Sequence, residues 1–315
     1  MSDIATGGMG RVILVGGGPG ADDLITVRGL GRLMAADVVI TDRLAPLGLL
    51  ARLGSHVEII DAARMPGQPT LTYDQITDLM IDRARAGRTV VRLKGGDPFV
   101  FAHGAQEVAS CAAAGIPVEV VPGVTSATAA PALAGVPLTS SEGAAGFTVV
   151  SGHLHPDDPA CRIDWPALAL SGTNLVILMG MRQLPAIVSR LIADGVAADA
   201  ATACIASASL SQQRVVRATL SELPAAVDAA VLTNPATVVV ETGPSSIGDR
   251  PSDFRDAAWQ RLGSAPGLCR QCRHAKLNET RRHTVYLRCL RAAWDRTLFR
   301  YPRLPVADCS GFEQA

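Results

Sequence analysis

The residues with the clearest chemical potential form the run Lys94–Pro98, which follows the short apolar stretch Thr89–Leu93. That stretch predicts a buried strand, which Pro98 prevents from continuing. The adjacent glycines Gly95 and Gly96 let the backbone approach a ligand closely, because they carry no Cβ atom. Asp97 places a carboxylate at the carboxyl end of the strand, where open α/β sheets bind ligands. A tight turn capped by Asp97 is the alternative interpretation.

A second glycine-rich turn, Gly16–Gly20, follows a predicted strand over Arg11–Gly16. The spacing resembles the dinucleotide-binding G-x-G-x-x-G pattern, but Ala21 stands where the last glycine belongs and Pro19 interrupts the run. No Gly-Lys-Ser/Thr sequence follows, so a P-loop is excluded as well. The turn is therefore interpreted as a rigid, low-profile loop against which a flat ligand lies.

Four cysteines near the end of the chain have a spacing that suits metal ligation. Cys269 and Cys272 form a CxxC pair, and Cys289 and Cys309 follow it. Four thiolates hold zinc in tetrahedral geometry, and an iron–sulfur cluster is the competing interpretation. A redox-labile disulfide and four unrelated thiols are the alternatives without a metal.

The elements that must position these residues alternate between strands and helices up to about residue 138, which predicts an α/β fold with a mostly parallel sheet. Thr72 and Gln75 fit a capping box that starts one of the helices, which extends to about Ala86. Beyond Thr139, strands separated by fewer helices predict a second sheet. A hairpin turn at Ser211–Gln213 makes that sheet mixed.

Length and composition agree with a multidomain protein. We predict an N-terminal α/β domain over 1–138, a C-terminal α/β domain over 139–245, a linker over 246–265 and a small Cys-rich tail over 266–315. Aliphatic residues dominate, since hydrophobic residues make up 48% and aromatic residues 4% of the chain. The sequence shows no signal-peptide pattern and no apolar run long enough for a membrane span, so a cytoplasmic location is expected.

The net charge of zero hides an asymmetry between the body and the tail. Residues 250–315 hold 13 Lys and Arg against 6 Asp and Glu, a net charge of +7, which leaves −7 for residues 1–249. An acidic body does not have the charge of a nucleic-acid binder. The basic tail is suited to an acidic partner, whose identity the sequence does not give.

Several stretches together resemble one known family, the tetrapyrrole (uroporphyrin-III type) C-methyltransferases, which use S-adenosylmethionine. The stretches follow one another in order over residues 11–243: Val15–Gly20, Leu24–Thr26, Asp42–Leu44, Val91–Phe99, Val121–Ser126, Gly152–Leu154, Asp164–Trp165, Met179–Gly180 and Gln213–Val216. The resemblance implies the two-domain tetrapyrrole methylase-like fold, a homodimer and a methyl donor held between the domains. Its most similar members convert uroporphyrinogen III to precorrin-2 by two C-methylations.

The resemblance also implies roles for individual residues. Asp42 matches the proposed proton acceptor, and Arg64 stands where the family has a proposed proton-donating lysine. Arg43 and Arg92 are expected to bind the acid side chains of the tetrapyrrole, because arginine pairs bidentately with carboxylates. Nine residues are expected to line the donor: Pro19, Gly95, Gly96, Asp97, Val100, Thr125, Ser126, Met179 and Ala208.

This chain departs from the family pattern mainly where the acceptor is expected. The departures include Ala21, Arg64, Ala102, His103, Ser140 and Ser141, with Ala208 at a donor position that is usually glycine. Arg64 is a poor proton donor because a guanidinium stays protonated. Two alternatives therefore stay open: a divergent enzyme that methylates another tetrapyrrole or small molecule, and a regulator that binds donor or tetrapyrrole without catalysis. The sequence does not distinguish a sirohaem pathway from a cobalamin pathway.

Overall fold

The structure is a computed structural model that describes residues 8–62, 71–141, 143–242 and 262, together with most of 268–313. Within that last range it leaves out 273, 280–284, 294, 296, 300, 304, 305, 311 and 312. The chain divides into two compact units, Met1–Ile247 and Gly248–Ala315, which are described separately. The predicted linker over 246–265 lies outside the described residues except for Leu262. The predicted domain limits at 138 and 245 stay predictions.

The first unit begins with a five-stranded parallel sheet in the order β3-β2-β4-β1-β5. Its strands are β1 (Arg11–Gly16), β2 (Val38–Thr41), β3 (Glu58–Asp61), β4 (Thr89–Lys94) and β5 (Val118–Val121). Its helices are α1 (Val27–Met34), α2 (Tyr73–Arg85), α3 (Gly104–Ala113) and α4 (Ser126–Leu133). The strands are short and β-branched, and the side chains of Val12–Val15 are fully buried, as expected for a sheet covered on both faces.

The helices start where the sequence supplies N-caps. Thr72 accepts a hydrogen bond from the Gln75 N–H while the Gln75 side chain accepts one from the Thr72 N–H, so the predicted capping box is confirmed. Thr26 and Thr125 cap α1 and α4 with their hydroxyl oxygens alone, which accept backbone N–H groups of the first turn. These caps fix where the loops after β1 and β5 turn into helices.

A second five-stranded sheet follows in the order β6-β7-β10-β8-β9. Its strands are β6 (Phe147–Ser151), β7 (Asn174–Leu178), β8 (Ala201–Ala206), β9 (Arg214–Thr219) and β10 (Ala236–Val240), and its helices are α5 (Trp165–Ala169), α6 (Leu184–Ala193) and α7 (Leu223–Ala229). Strands β6 and β7 are parallel while the other pairs are antiparallel, so the predicted mixed sheet is confirmed. The β8–β9 hairpin turns at the predicted residues.

The second unit contains a two-stranded antiparallel hairpin, β11 (Ala275–Glu279) and β12 (Val285–Cys289). Its buried core is small: Leu262, Cys269 and Leu287 pack with a few half-buried apolar side chains. Among the helices that the structure describes in either unit, none has the length and apolarity needed to cross a membrane.

Candidate functional site

The loops after β1, β4 and β5 meet at the carboxyl edge of the first sheet, with almost no side chains between them. The register places Gly16 beside Lys94 and Val15 beside Val121, so the three strands end side by side. Gly18 and Gly96 then exchange backbone hydrogen bonds of 3.2 and 2.7 Å. A Cβ atom on Gly123 would lie 2.1 Å from the carbonyl oxygen of Gly96. Backbone atoms around Gly16, Gly18, Gly96 and Gly123 therefore form this surface, which we call the glycine wall.

The Asp97 side chain makes two hydrogen bonds, one within the loop after β4 and one to the loop after β5. One carboxylate oxygen accepts the Phe99 N–H at 2.8 Å and the other accepts the Gly123 N–H at 3.0 Å. Asp97 therefore caps this turn, as the alternative interpretation of the sequence stated. Each oxygen keeps a further acceptor site, so the predicted contact between Asp97 and the donor stays compatible with this geometry.

Two neighbouring cavities open at the glycine wall. The first has a volume of about 530 Å³ and is lined from both sheets, by Gly18–Gly20, Asp22, Arg43–Ala45, Leu47, Gly48, Gly95, Gly96, Ser126, Ile205, Ser207, Ala208, Leu210, Gln212 and Asn234–Thr237. The second has a volume of about 560 Å³ and is lined by Arg43, Leu44, Gly95–Asp97, Val100–Ala102, Thr125, Ser126, His153, Leu178, Met179, Arg182 and Asn234–Ala236. Gly95 and Gly96 line both cavities, so the same backbone borders each of them.

The structure brings the nine predicted donor-binding residues together. Pro19 and Ala208 line the first cavity, while Asp97, Val100, Thr125 and Met179 line the second; Gly95, Gly96 and Ser126 line both. A Cβ on Gly96, whose φ is +66°, would meet no atom within 4 Å, so open space lies beside that backbone. Their assembly at one place supports a binding site, while the role of each residue in binding the donor stays a prediction.

The second cavity combines cations with exposed apolar side chains. Arg43 and Arg182 line it, and neither guanidinium is paired with another residue of the described part of the chain. His153 accompanies them, with its Nδ1 atom 2.8 Å from the Ser151 hydroxyl. Leu44 and Met179 are about half exposed there. Unpaired cations beside apolar surface suit a flat ring that carries carboxylates.

Backbone strain is concentrated at these cavities. Phe101, Met179 and Ser207 have φ values of 49°, 58° and 50°, in the left-handed region that residues with a Cβ rarely occupy. The first two line the second cavity and Ser207 lines the first. Such strain is typical of functional sites, where surrounding packing holds it in place. No residue pattern in the chain predicted this strain.

Asp42 lies at the carboxyl end of β2 and belongs to a network of four charged side chains. Its carboxylate is hydrogen-bonded to the Arg92 guanidinium, and Arg92 Nε donates to Glu107 at 3.1 Å. Lys94 Nζ lies 3.0 Å from Glu107 and 4.0 Å from Asp42. Arg92, Lys94 and Glu107 are buried, whereas the Asp42 side chain is 34% exposed. We call this set the buried charge network.

The geometry argues against direct binding of the acceptor by Arg92. Arg92 is 1% exposed, and three of its N–H groups are donated to Glu107, Asp42 and the carbonyl oxygen of Ile40, so a substrate carboxylate does not reach it in this arrangement. Arg43, in contrast, lines both cavities, and its expected role in binding acid side chains stays a prediction. Arg64 lies outside the described residues, so its predicted role is not examined by the structure.

Sequence reasoning missed Glu107, Arg182 and the Asn234–Pro235 turn, which lines both cavities. Arg182 follows the Met179–Gly180 stretch by two residues, so that stretch could have drawn attention to it. Two cations two residues apart in a buried strand, Arg92 and Lys94, signalled that a buried acid had to be nearby. Which acid it was depended on how α3 packs.

The four tail cysteines lie near one another in the second unit. Cys272 N–H donates to the Cys269 carbonyl oxygen at 3.3 Å, and the hairpin pairs Ala275 with Cys289. Burial raises the pKa of the Cys269 thiol to about 11, with smaller contributions from the other three thiols. No group of three or more His, Cys, Asp or Glu side chains in the described ranges is arranged to hold a metal ion.

Several known proteins are similar to this chain in sequence and fold. Residues 11–224 match the family model of Tetrapyrrole (Corrin/Porphyrin) Methylases. The chain is 40% identical to a uroporphyrinogen-III C-methyltransferase of Priestia megaterium, over 74% of this chain and 97% of that protein. It is 42% identical to a siroheme synthase of Tolumonas auensis over 68% of this chain, and spans only 46% of that protein.

A solved structure agrees with these sequence relatives. The crystal structure of uroporphyrin-III C-methyl transferase from Thermus thermophilus, complexed with S-adenyl homocysteine, has a TM-score of 0.61 and 36% identity, over 73% of this chain and 97% of that one. The expected two-sheet methylase fold of the body is thereby confirmed. The chain spans about half the length of the siroheme synthases that it matches. It belongs to the tetrapyrrole methylase family.

Proposed function

We propose that the chain transfers methyl groups from S-adenosylmethionine to carbon atoms of uroporphyrinogen III, giving precorrin-2 in two transfers. The observation that carries the proposal is the pair of cavities that share the glycine wall. The first is bordered by the glycines of both turns, and the second is lined by unpaired cations and apolar side chains. A relative that this chain covers almost completely is a uroporphyrinogen-III C-methyltransferase.

The residues present fit the donor. When bound, S-adenosylmethionine supplies a methyl group on a positively charged sulfur, and the charge disappears as the methyl leaves. The site therefore needs to position the reactants in line more than to stabilise new charge. The open space beside Gly96 admits a ligand directly against the main chain, whereas the space beside Gly95 is filled by Leu44. Thr125 and Ser126 add hydroxyl groups at the start of α4.

The acceptor side is assigned to the second cavity. The pyrrole carbon forms a bond to the methyl carbon, the sulfur–methyl bond breaks, and the ring carbon then has to lose a proton. We assign that proton to Asp42, which lines neither cavity but directly precedes Arg43, a residue that lines both; its carboxylate is partly exposed and oriented by Arg92 on one oxygen. The acid side chains would be bound by Arg43, His153 and Arg182. These residues have no anionic partner in the described ranges, so they are available to pair with carboxylates.

Four of the family departures lie away from these cavities, whereas Ala102 and Ala208 line them. Ala21, His103, Ser140 and Ser141 are not among the residues that line either of them. His103 instead packs its ring against Tyr73, with centroids 3.7 Å apart. The 40% identity to a uroporphyrinogen-III C-methyltransferase favours uroporphyrinogen III over a changed acceptor. The divergent methylase and the non-catalytic regulator remain the alternatives that an assay must exclude.

The assay incubates the full chain anaerobically with uroporphyrinogen III and methyl-labelled S-adenosylmethionine. The proposal predicts label in a dimethylated tetrapyrrole. Donor binding without any methyl transfer would favour the regulator. Transfer to another tetrapyrrole but not to uroporphyrinogen III would favour the divergent enzyme. A cytoplasmic location and a homodimer belong to the same proposal; sedimentation of the full chain at micromolar concentration tests the dimer.

We also propose that the tail cysteines bind a metal, zinc or an iron–sulfur cluster. The support is the proximity of four thiols in a unit whose hydrophobic core is small, a situation in which domains often need a metal to fold. Metal analysis of the full chain should show about one zinc, or iron with sulfide, and Cys269→Ser should lose it. Cys161→Ser is the matched control in the body. Equal, near-zero metal in all three proteins would end this proposal.

A further inference from the structure

The buried charge network contains one member to which the proposed mechanism gives no role. Glu107 lies in the first turn of α3, is 3% exposed, and contacts both cations of β4. Its carboxylate lies 3.1 Å from Arg92 Nε and 3.0 Å from Lys94 Nζ. A buried carboxylate with two cationic partners needs an explanation, because removing charge from water is costly.

Part of the explanation is charge balance. Arg92 and Lys94 are two residues apart, so they point to the same face of β4, and both are buried. Asp42 and Glu107 supply two negative charges against these two positive ones. The anions differ in exposure, since Asp42 is one-third exposed at the strand end and Glu107 is not. Glu107 thus lies at the buried end of the network, and Asp42 lies at its partly exposed end, next in sequence to Arg43 of the cavity lining.

The geometry of Arg92 shows how the anchor acts. Its Nε donates to Glu107, one terminal nitrogen donates to Asp42, and the other donates to the Ile40 carbonyl oxygen at 3.3 Å. The guanidinium is therefore fixed from three directions. One oxygen of Asp42 is held by Arg92, and the other lies 4.0 Å from Lys94, which is closer to Glu107.

We propose that Glu107 is a positioning residue for Asp42: it fixes Arg92 and keeps the Lys94 ammonium from binding the Asp42 oxygen that takes the proton. Without the Glu107 charge, Lys94 has only Asp42 as a nearby anion within the network. The ammonium then turns toward Asp42 and occupies its second oxygen. The inference rests on the proposed function, because it assigns the proton to Asp42.

The test compares Glu107→Gln with the wild type. We expect kcat for methyl transfer to uroporphyrinogen III to fall at least tenfold, while the dissociation constant of S-adenosylhomocysteine changes less than twofold. Removing the competing ammonium in the double variant Lys94→Met, Glu107→Gln should recover at least half of the lost activity on a logarithmic scale. Glu58→Gln is the matched control, since Glu58 pairs with Arg83 at 2.7 Å outside the network and should keep the wild-type kcat.

Three results would overturn the inference. These are an unchanged kcat in Glu107→Gln, a parallel loss of donor affinity and kcat, and no recovery in the double variant. If Glu107→Gln does not fold, Glu107→Asp replaces it as the single variant, because it keeps the charge and withdraws the carboxylate from both cations. A smaller fall in kcat is expected for it than for the loss of the charge, because Lys94 keeps a second anion nearby.

Failure of the proposed substrate is recognised separately, because the wild type itself would then not methylate uroporphyrinogen III. The positioning role is in that case decided by a crystal structure of the folded variant. The inference predicts that Lys94 Nζ moves to within hydrogen-bond distance of Asp42. A Lys94 ammonium that stays in place, with the Asp42 carboxylate unmoved, would contradict it.

Discussion

The two sheets contribute different material to the site. The first sheet supplies backbone: the loops after β1, β4 and β5 approach so closely that a single Cβ atom on Gly123 would overlap the Gly96 carbonyl oxygen. The second sheet and the loops around it supply side chains such as His153, Met179 and Arg182, which we call the side-chain wall. A backbone wall admits little variation in sequence, whereas a wall of side chains can be altered one residue at a time. We therefore propose that the glycine wall contacts mainly the donor and that selectivity for the acceptor depends mainly on the cations of the side-chain wall.

The largest effect should come from filling the glycine wall. Gly123→Ala would place Cβ 2.1 Å from backbone oxygen, which no rotamer change relieves, so we expect a loss of about 3 kcal/mol or more in the free energy of unfolding, at the upper end for overpacking. Urea unfolding and S-adenosylhomocysteine titration measure it. Gly31→Ala is the control, because a Cβ there meets no atom within 4 Å and α1 should gain up to about 1 kcal/mol. Equal stability of the two variants would refute a rigid wall.

Removing the proton acceptor should come next. Asp42→Asn keeps the shape of the side chain but cannot take a proton, so we expect kcat to fall by roughly 10²- to 10⁴-fold, the usual contribution of a general base. Donor affinity should stay within about twofold, since binding at the glycine wall does not use this carboxylate. Asp23→Asn, an exposed aspartate outside the network, serves as the control. An Asp42→Asn variant with full activity would move the base elsewhere.

A smaller and more selective effect is expected on the side-chain wall. Arg182→Gln removes one cation from the second cavity, and the loss of one charge-assisted hydrogen bond should raise the acceptor KM by about tenfold. The kcat and the donor affinity should change little, because this interaction is the same in the ground and transition states. Arg162→Gln provides an exposed arginine outside the cavity for comparison. An increase in the donor dissociation constant instead would erase the distinction between the walls.

The smallest effect should lie outside both walls, at the pair between Glu58 and Arg83. The hydrogen bond from Arg83 lowers the pKa of Glu58 from its usual 4.5, so the pair stabilises the fold above that pH and stops doing so as the pH falls through the lowered value. Both side chains are one-third exposed, so Glu58→Gln should cost less than about 1 kcal/mol at pH 7. The difference from the wild type should shrink in acid, as urea unfolding at several pH values would show.

Much of this organisation could be predicted from the chain alone, where local chemistry decided the structure. The glycine turns, the capping box at Thr72 and the alternation of strands and helices depend on residues close in sequence. The partners of Arg92 could not be predicted, because a strand position does not reveal which helix residue will pack against it. Arg92 was expected to contact substrate and instead lies 1% exposed, held by Glu107.

The strained backbone of Met179 escaped prediction for the same reason. Its positive φ is imposed by packing around the loop after β7 and leaves no mark on residue type. The resemblance to a methylase family placed Met179 at the site all the same. Patterns of residues close in sequence thus predicted the glycine wall, whereas the geometry of the side-chain wall could be known only from the tertiary structure.

A crystal structure of the full chain with S-adenosylhomocysteine tests most directly whether the glycine wall binds the donor and the side-chain wall binds the acceptor. We predict that the ligand lies against the backbone of Gly95 and Gly96, with Arg43 and Arg182 still free to bind an acceptor in the second cavity. A ligand bound through Arg43, Arg182 and His153, with no contact to the glycine wall, would contradict it.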